Sequence, residues 1–185
     1  MSQLKVPITP QDHVVGPSDA PVMLVEYGDY ECPHCAQAHP IVATLVKQLG
    51  DQLRFAFRHF PLTQVHPNAD VAAQSAEYCG GHGLFWEMHD ALYANQADLS
   101  LPLLFTLVRD LGLSDAGLRE SLANGAYASK VRSDFLGGVR SGVNGTPSFF
   151  INGRRHDGSY DFEELHSAIE ASRVRRLSVG EGLPQ

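Results

Sequence analysis

Cysteine is scarce here, with three in 185 residues. A chain of this length with so few does not rest on a disulfide framework. Long apolar runs are missing as well, and none approaches the roughly 18 residues needed to span a bilayer. Basic residues are outnumbered, 14 Lys and Arg against 21 Asp and Glu, for a net charge of −7. That balance argues against nucleic acid or an anionic membrane as partner. The stretch "MSQLKVPITPQDHVVGPSDAP" has one lysine and no continuous apolar core, so it does not read as a signal peptide. The expected address is therefore cytoplasmic, or periplasmic if a leader was removed. Low-complexity runs and internal repeats are also absent. At 43% hydrophobic the composition is that of an ordinary globular chain, long enough for one domain or one domain with an insertion.

Two of the cysteines stand together in "LVEYGDYECPHCAQAHP". Cys32 and Cys35 could hold a metal, brace the fold or exchange electrons. A zinc reading needs four donors, and Cys32, Cys35, Cys79 and His82 formally supply a Cys3His set, with His39 as a substitute. A structural bridge would close too small a loop to constrain much of the unfolded chain. Cys79 ends a helical pattern, where a small buried thiol is a common finding. A reactive dithiol needs something else: one sulfur held as thiolate near neutral pH, although a free cysteine has a pKa of about 8.5.

The surrounding pattern supplies it. "VMLVEYG", Val22 to Gly28, is an apolar run of strand length, and Ile41, Val42, Leu45, Val46 and Leu49 repeat at helical spacing. That spacing predicts a helix from about Pro33, closed by Gly50. Cys32 then heads a helix, where unpaired N–H groups and the positive dipole end favour an anion, and Pro33 suits the first helical position. Cys35 lies one turn deeper as the resolving thiol. His34 stands between them, where an imidazole can hydrogen-bond or attract the Cys32 thiolate.

"LRFAFRHF" alternates, with Leu53, Phe55 and Phe57 on one face and Arg54 and Arg58 on the other, and Pro61 stops it. About eighty residues of helical pattern follow. Ser114 is placed as an N-cap, and Tyr127, Val131, Phe135 and Val139 recur every four residues. Strand chemistry returns at "TPSFFINGRRH", with Asn152-Gly153 as a hairpin turn. A last helix starts at Asp161, with Glu164 completing a capping box. The order predicts an α/β fold, a mixed central sheet flanked by helices. Residues 1–61 and 141–185 form the main domain, with 1–20 as an arm, and 62–140 an inserted all-helical lobe.

"VEYGDYECPHC" together with "VNGTPSFFING" resembles the DsbA-like branch of the thioredoxin superfamily, the thiol–disulfide oxidoreductases, from about Asp12 to Ser172. The resemblance implies a thioredoxin-like fold and a redox-active Cys-Pro-His-Cys disulfide, with no other cofactor and no metal. Its partners would be protein or peptide thiols and disulfides, together with a redox partner. By motif register Glu26 matches a buried acid below the active site, Pro40 a proline that kinks the helix, and Pro147 a cis-proline. Thr146 before it would meet the substrate chain through its backbone. In "HGLFWEMHDALYANQ", Phe85 and Trp86 are read as core rather than as a peptide groove. The resemblance leaves the direction of electron flow open. It also leaves an alternative: a module on the same fold that binds zinc or grips peptide without turnover.

Overall fold

The computed structural model describes residues 2–180. Strand β2, Val22–Gly28, runs parallel to β3, Leu53–His59, and the helix α1, Pro33–Leu49, connects them. Beyond β3 come five helices: α2 Ala69–Gly80, α3 Phe85–Ala94, α4 Leu101–Asp110, α5 Asp115–Asn124 and α6 Ala128–Arg140. The chain then returns as the hairpin of β4, Ser148–Ile151, and β5, Arg154–His156, before α7, Phe162–Gly180. Asn152 takes a positive φ in the hairpin turn, as a two-residue connection requires. Ser114 accepts from the Gly117 N–H and Asp161 from the Glu164 N–H, so both act as N-caps.

One strand was not anticipated. Within the N-terminal arm, β1, His13–Val15, pairs antiparallel with β3, giving the sheet order β1-β3-β2-β4-β5. Three residues are too short to show a period.

Both central strands are buried on both faces. Val22 and Leu24 of β2, with Leu53, Phe55 and Phe57 of β3, face one large apolar cluster. Val25 and Tyr27 join Ala56, Phe60 and Phe150 in a second cluster on the other face. Side chains alternate along a strand, so Glu26 shares the face of Leu24, the face that α1 covers. Buried side chains of α2 to α5 belong to the same large cluster, among them Met88, Leu104 and Leu118.

Two sequence patterns take a particular form in the fold. Arg58 lies on the face opposite Phe57, but that face is not open to solvent. The arm and α6 cover it, and the guanidinium binds Asp12 at 2.7 Å, the Val6 and Pro7 carbonyls and the Tyr27 hydroxyl. Helix α6 comes close because Gly138 leaves room: a Cβ there would sit 2.6 Å from the Phe60 ring. The four-residue spacing of α6 also drifts. Each step of four advances about 40° beyond a full turn, so the stripe rotates from buried Val131 to half-exposed Val139.

Glu77 of α2 ties these layers together. Its Oε1 accepts from His13 Nε2 of β1 at 2.9 Å and from His59 Nε2 of β3 at 2.8 Å, with Lys130 Nζ of α6 3.8 Å away. His13 in turn stacks on Phe85 of α3. Burial pushes the Glu77 carboxyl up, but the two histidine bonds outweigh it and hold the group well below the usual carboxylate range. A carboxyl depressed in the fold stabilises it fully above the ordinary value of 4.5, and that contribution is lost as pH falls below it. We expect Glu77→Gln to cost on the order of 3 kcal/mol at pH 7. It should also flatten the loss of stability below pH 4.5. Urea unfolding of both proteins at pH 7 and pH 4 checks this, and equal pH slopes would contradict it.

Candidate active site

The dithiol sits where β2 gives way to α1. Cys32 is the N-cap residue, in extended backbone at φ −73° and ψ 119°, and Pro33 opens the helix. The Cys32 N–H donates to the Asp29 carbonyl at 3.1 Å. Gln96, after α3, donates from Nε2 to the carbonyls of Tyr30 and Cys32 at 2.8 and 2.9 Å. Asp29 anchors the turn from beneath. Its carboxylate accepts from the Glu31 N–H, the Leu62 N–H and His66 Nδ1, each at 2.8 Å, and its own N–H points at Cys35 Sγ, 3.5 Å away. Glu31 reaches across to cap Asn68 at the head of α2.

The two sulfurs are buried as free thiols and differ sharply in acidity. A hydrogen bond from the Cys35 thiol is the largest influence on Cys32. With further bonds from Thr146 and from the Cys35 and His34 N–H groups, it outweighs burial and brings Cys32 from 9.0 down to about 5. Cys35 moves the other way. Burial, and the same bond now made from the donor side, push it well above its ordinary value. The Thr146–Pro147 peptide bond is cis. The Thr146 carbonyl lies 3.3 Å from Cys32 Sγ, which donates to it as a thiol. The Thr146 hydroxyl is otherwise buried without a partner, so it is available to an ionised sulfur.

Glu26 is buried below this pair. Removal from water is the first cause, and the Cys32 charge the second, that raise its carboxyl from 4.5 to about 8. Glu26 in turn pushes Cys35 further up. The acid is not sealed in. It forms part of the wall of a cleft of about 170 Å³, which also exposes Val42, Trp86, His39, His89 and Asp90.

Cys32, Cys35, Glu26, Thr146 and Pro147 thus converge, with Pro33 at the helix head. Pro40 lies inside α1, where Thr44 donates its hydroxyl to the Pro40 carbonyl at 2.8 Å. His34 differs from its expected place. Its exposed imidazole meets the Tyr160 hydroxyl at 2.9 Å, and Tyr160 donates to Gln37, so only the His34 backbone N–H serves the Cys32 thiolate. The zinc set does not assemble. Among the described residues, neither cluster of potential metal ligands contains a cysteine, and His82 Nδ1 is bonded to the Tyr78 carbonyl. Cys79 is fully buried in α2, its thiol pushed up to about 12 by burial. Phe85 is core, whereas Trp86 is half-buried and borders the cleft. Sequence reading passed over Asp29, Gln96 and Tyr160. Only Asp29 carried a signal, as an acid abutting an apolar strand.

The thioredoxin family model matches residues 8–171 of this chain. Among solved structures, oxidised BdbD from Bacillus subtilis superposes with a TM-score of 0.78 at 25% identity, covering 87% of this chain and 92% of that one. α-DsbA1 from Wolbachia pipientis gives a TM-score of 0.79 at 20% identity, over 96% and 98% of the two chains, a likeness of fold. The Na(+)/H(+) antiporter NhaA 1 of Salinispora arenicola is 48% identical over 170 residues, 91% of this chain and 26% of that protein. The chain spans about a quarter of the length of the curated relatives it matches. No helix among the described residues is long and apolar enough to cross a membrane. The chain belongs to the thioredoxin family, and the helices between its parallel strand pair and its terminal hairpin give it the fold of the DsbA structure on which it superposes.

Proposed function

We propose that this protein exchanges disulfides with protein or peptide thiols, with Cys32 as nucleophile and Cys35 as resolving thiol. The opposed acidities of the two sulfurs support this reading above all. When the pair is oxidised, a substrate thiolate attacks Cys32 Sγ, a new S–S bond forms, and the Cys32–Cys35 bond breaks. Cys35 leaves with the electron pair and takes up a proton, since it is basic in this site. A second substrate thiolate then displaces Cys32, which leaves as a stable thiolate. The substrate is oxidised to a disulfide and the protein reduced to a dithiol. Run backwards, the same steps reduce a substrate disulfide.

Glu26 is the proton carrier for Cys35 in this scheme. At about 8 it is mostly protonated at neutral pH, ready to supply a departing Cys35. In the reverse direction its carboxylate form takes the proton as Cys35 attacks. The cleft gives it exchange with solvent. The Thr146 backbone, beside Cys32, would pair with a substrate chain. A stabilised Cys32 thiolate favours the dithiol, so the disulfide should be more oxidising than that of thioredoxin, above about −270 mV. In a reducing compartment such a pair rests as dithiol and reduces or isomerises; in an oxidising one it donates its disulfide. In the longer antiporter-named relatives the matching quarter would perform this exchange, with transport left to the rest.

Three measurements test the proposal. Alkylation of Cys32 by iodoacetamide should hold its rate down to about pH 6 and fall with a midpoint near 5, the value of the lowered thiol. A midpoint near 9 would contradict it. Cys35→Ser should accumulate a mixed disulfide at Cys32, while Cys32→Ser should lose exchange altogether; turnover by the latter would overturn the assignment. Glu26→Gln should slow attack by Cys35 roughly 10²-fold with little change in adduct formation. It should also remove the rise of that step as pH increases through about 8. Stopped-flow separation of the two steps decides, and equal slowing of both would exclude proton transfer by Glu26.

A further inference from the structure

The cleft above Glu26 carries three side chains that disulfide exchange does not use. His39 comes from α1, and His89 and Asp90 are neighbours on α3. One donor atom from each lies within 4.8 Å of the other two. His39 Nε2 and Asp90 Oδ1 are 3.3 Å apart. That is about the separation of two ligands on one tetrahedral ion with bonds of roughly 2.0–2.1 Å. His89 adds an independent observation. It is only 3% exposed, yet it forms part of the cleft wall. Its Nδ1 is engaged by the Tyr30 hydroxyl at 3.0 Å, and among the described residues no hydrogen bond reaches its Nε2. The Tyr30 hydroxyl can accept as well as donate, and in the tautomer that donates Nδ1–H to it, the one a metal would select, the lone pair lies on Nε2. This is how a metal-binding histidine is usually oriented by its outer partner.

We infer that His39, His89 and Asp90 form a binding site for a first-row divalent transition-metal ion, with water completing its coordination in the cleft. Two imidazoles and one carboxylate suit Zn2+ and its neighbours and are a poor match for Mg2+ or Ca2+, which prefer all-oxygen sets. Binding replaces the His39–Asp90 hydrogen bond by two bonds to the ion, and the three donors close by less than 1.5 Å, roughly the difference between 4.8 Å and a tetrahedral ligand separation. The other ligand-like cluster offers no such room. His59, Glu77 and Asp134 already hold a cation, Lys130, with Nζ 2.7 Å from Asp134. The two α-helices that contribute the donors also border Glu26, so an ion there would cover the opening above that acid.

The test keeps the reactive dithiol out of the reading, and Cys79 is fully buried. Oxidised protein, with Cys32 and Cys35 joined, is stripped with chelator and titrated with ZnCl2 by calorimetry and with CoCl2 by visible absorption. One ion per chain is expected, with d–d bands for Co2+. His39→Ala and Asp90→Asn should each weaken binding about tenfold or more. His89 is left intact because its ring is packed into the core. The Asp90 side chain is 68% exposed, so its substitution leaves the fold standing. No stoichiometric binding by the parent protein, or unchanged affinity in either variant, would overturn the site.

Discussion

A single buried carboxylate, Asp29, holds the reactive turn in place. It accepts three hydrogen bonds at 2.8 Å while its backbone meets both cysteines, the carbonyl taking the Cys32 N–H and the N–H approaching Cys35 Sγ. Bonds to an ionised acceptor are each stronger than neutral ones, about 1.5–3 kcal/mol net. A carboxylate so placed therefore fixes geometry as well as charge. It pins the turn after β2 to the segment after β3 through Leu62 and His66. Were that anchor loose, the Cys32 backbone could not present its sulfur at the head of α1 and under Thr146 at once.

Given that placement, the electrostatics of the dithiol rest on burial and on one hydrogen bond that acts on both sulfurs in opposite directions. A donor facing a thiolate lowers the acceptor's pKa and raises its own. Cys35 is basic through its burial first and through donating this bond second, while accepting it makes Cys32 acidic; in the proposed exchange that difference marks which sulfur leaves readily and which needs a proton. Burial acts against ionisation at both positions, but at Cys32 it is outweighed by bonds from Thr146 and the first-turn N–H groups. Glu26 then becomes intelligible from the strand period alone. Two residues beyond Leu24, it faces α1, in surroundings that strip its water and raise its carboxyl below the dithiol.

Much of this was legible in local pattern. Apolar alternation marked β2 and β3, helical spacing and Gly50 bounded α1, and Ser114, Asp161 and Asn152-Gly153 marked caps and a turn. These signals act over a few residues, which is why a sequence displays them. What it hid lies between residues far apart. Tyr160 captures the His34 ring across 126 positions, and without that partner the imidazole reads as a neighbour of Cys32. Arg58 looks like the polar side of a strand until the arm supplies Asp12 and two carbonyls. His13, His59 and Glu77 carry no common motif, yet they meet at one oxygen. β1 exists because β3 offers it an edge, not because three residues favour a strand.

The inserted helices are consequently not an appendage to the site. Glu77 ties α2 to β1 and β3, Asp134 of α6 accepts the His59 N–H, and Gln96 after α3 clamps the carbonyls of Tyr30 and Cys32. The last contact matters most for chemistry. The Cys32 carbonyl is also the first acceptor of α1, taking the Ala36 N–H at 3.2 Å. Holding it from the insertion side fixes the direction in which the first-turn N–H groups point, and those groups stabilise the Cys32 thiolate. The head of α1 is therefore held in part from the insertion side, and the Glu77 junction, where His13 stacks on Phe85, is tied to the same helix α3 that leads to Gln96.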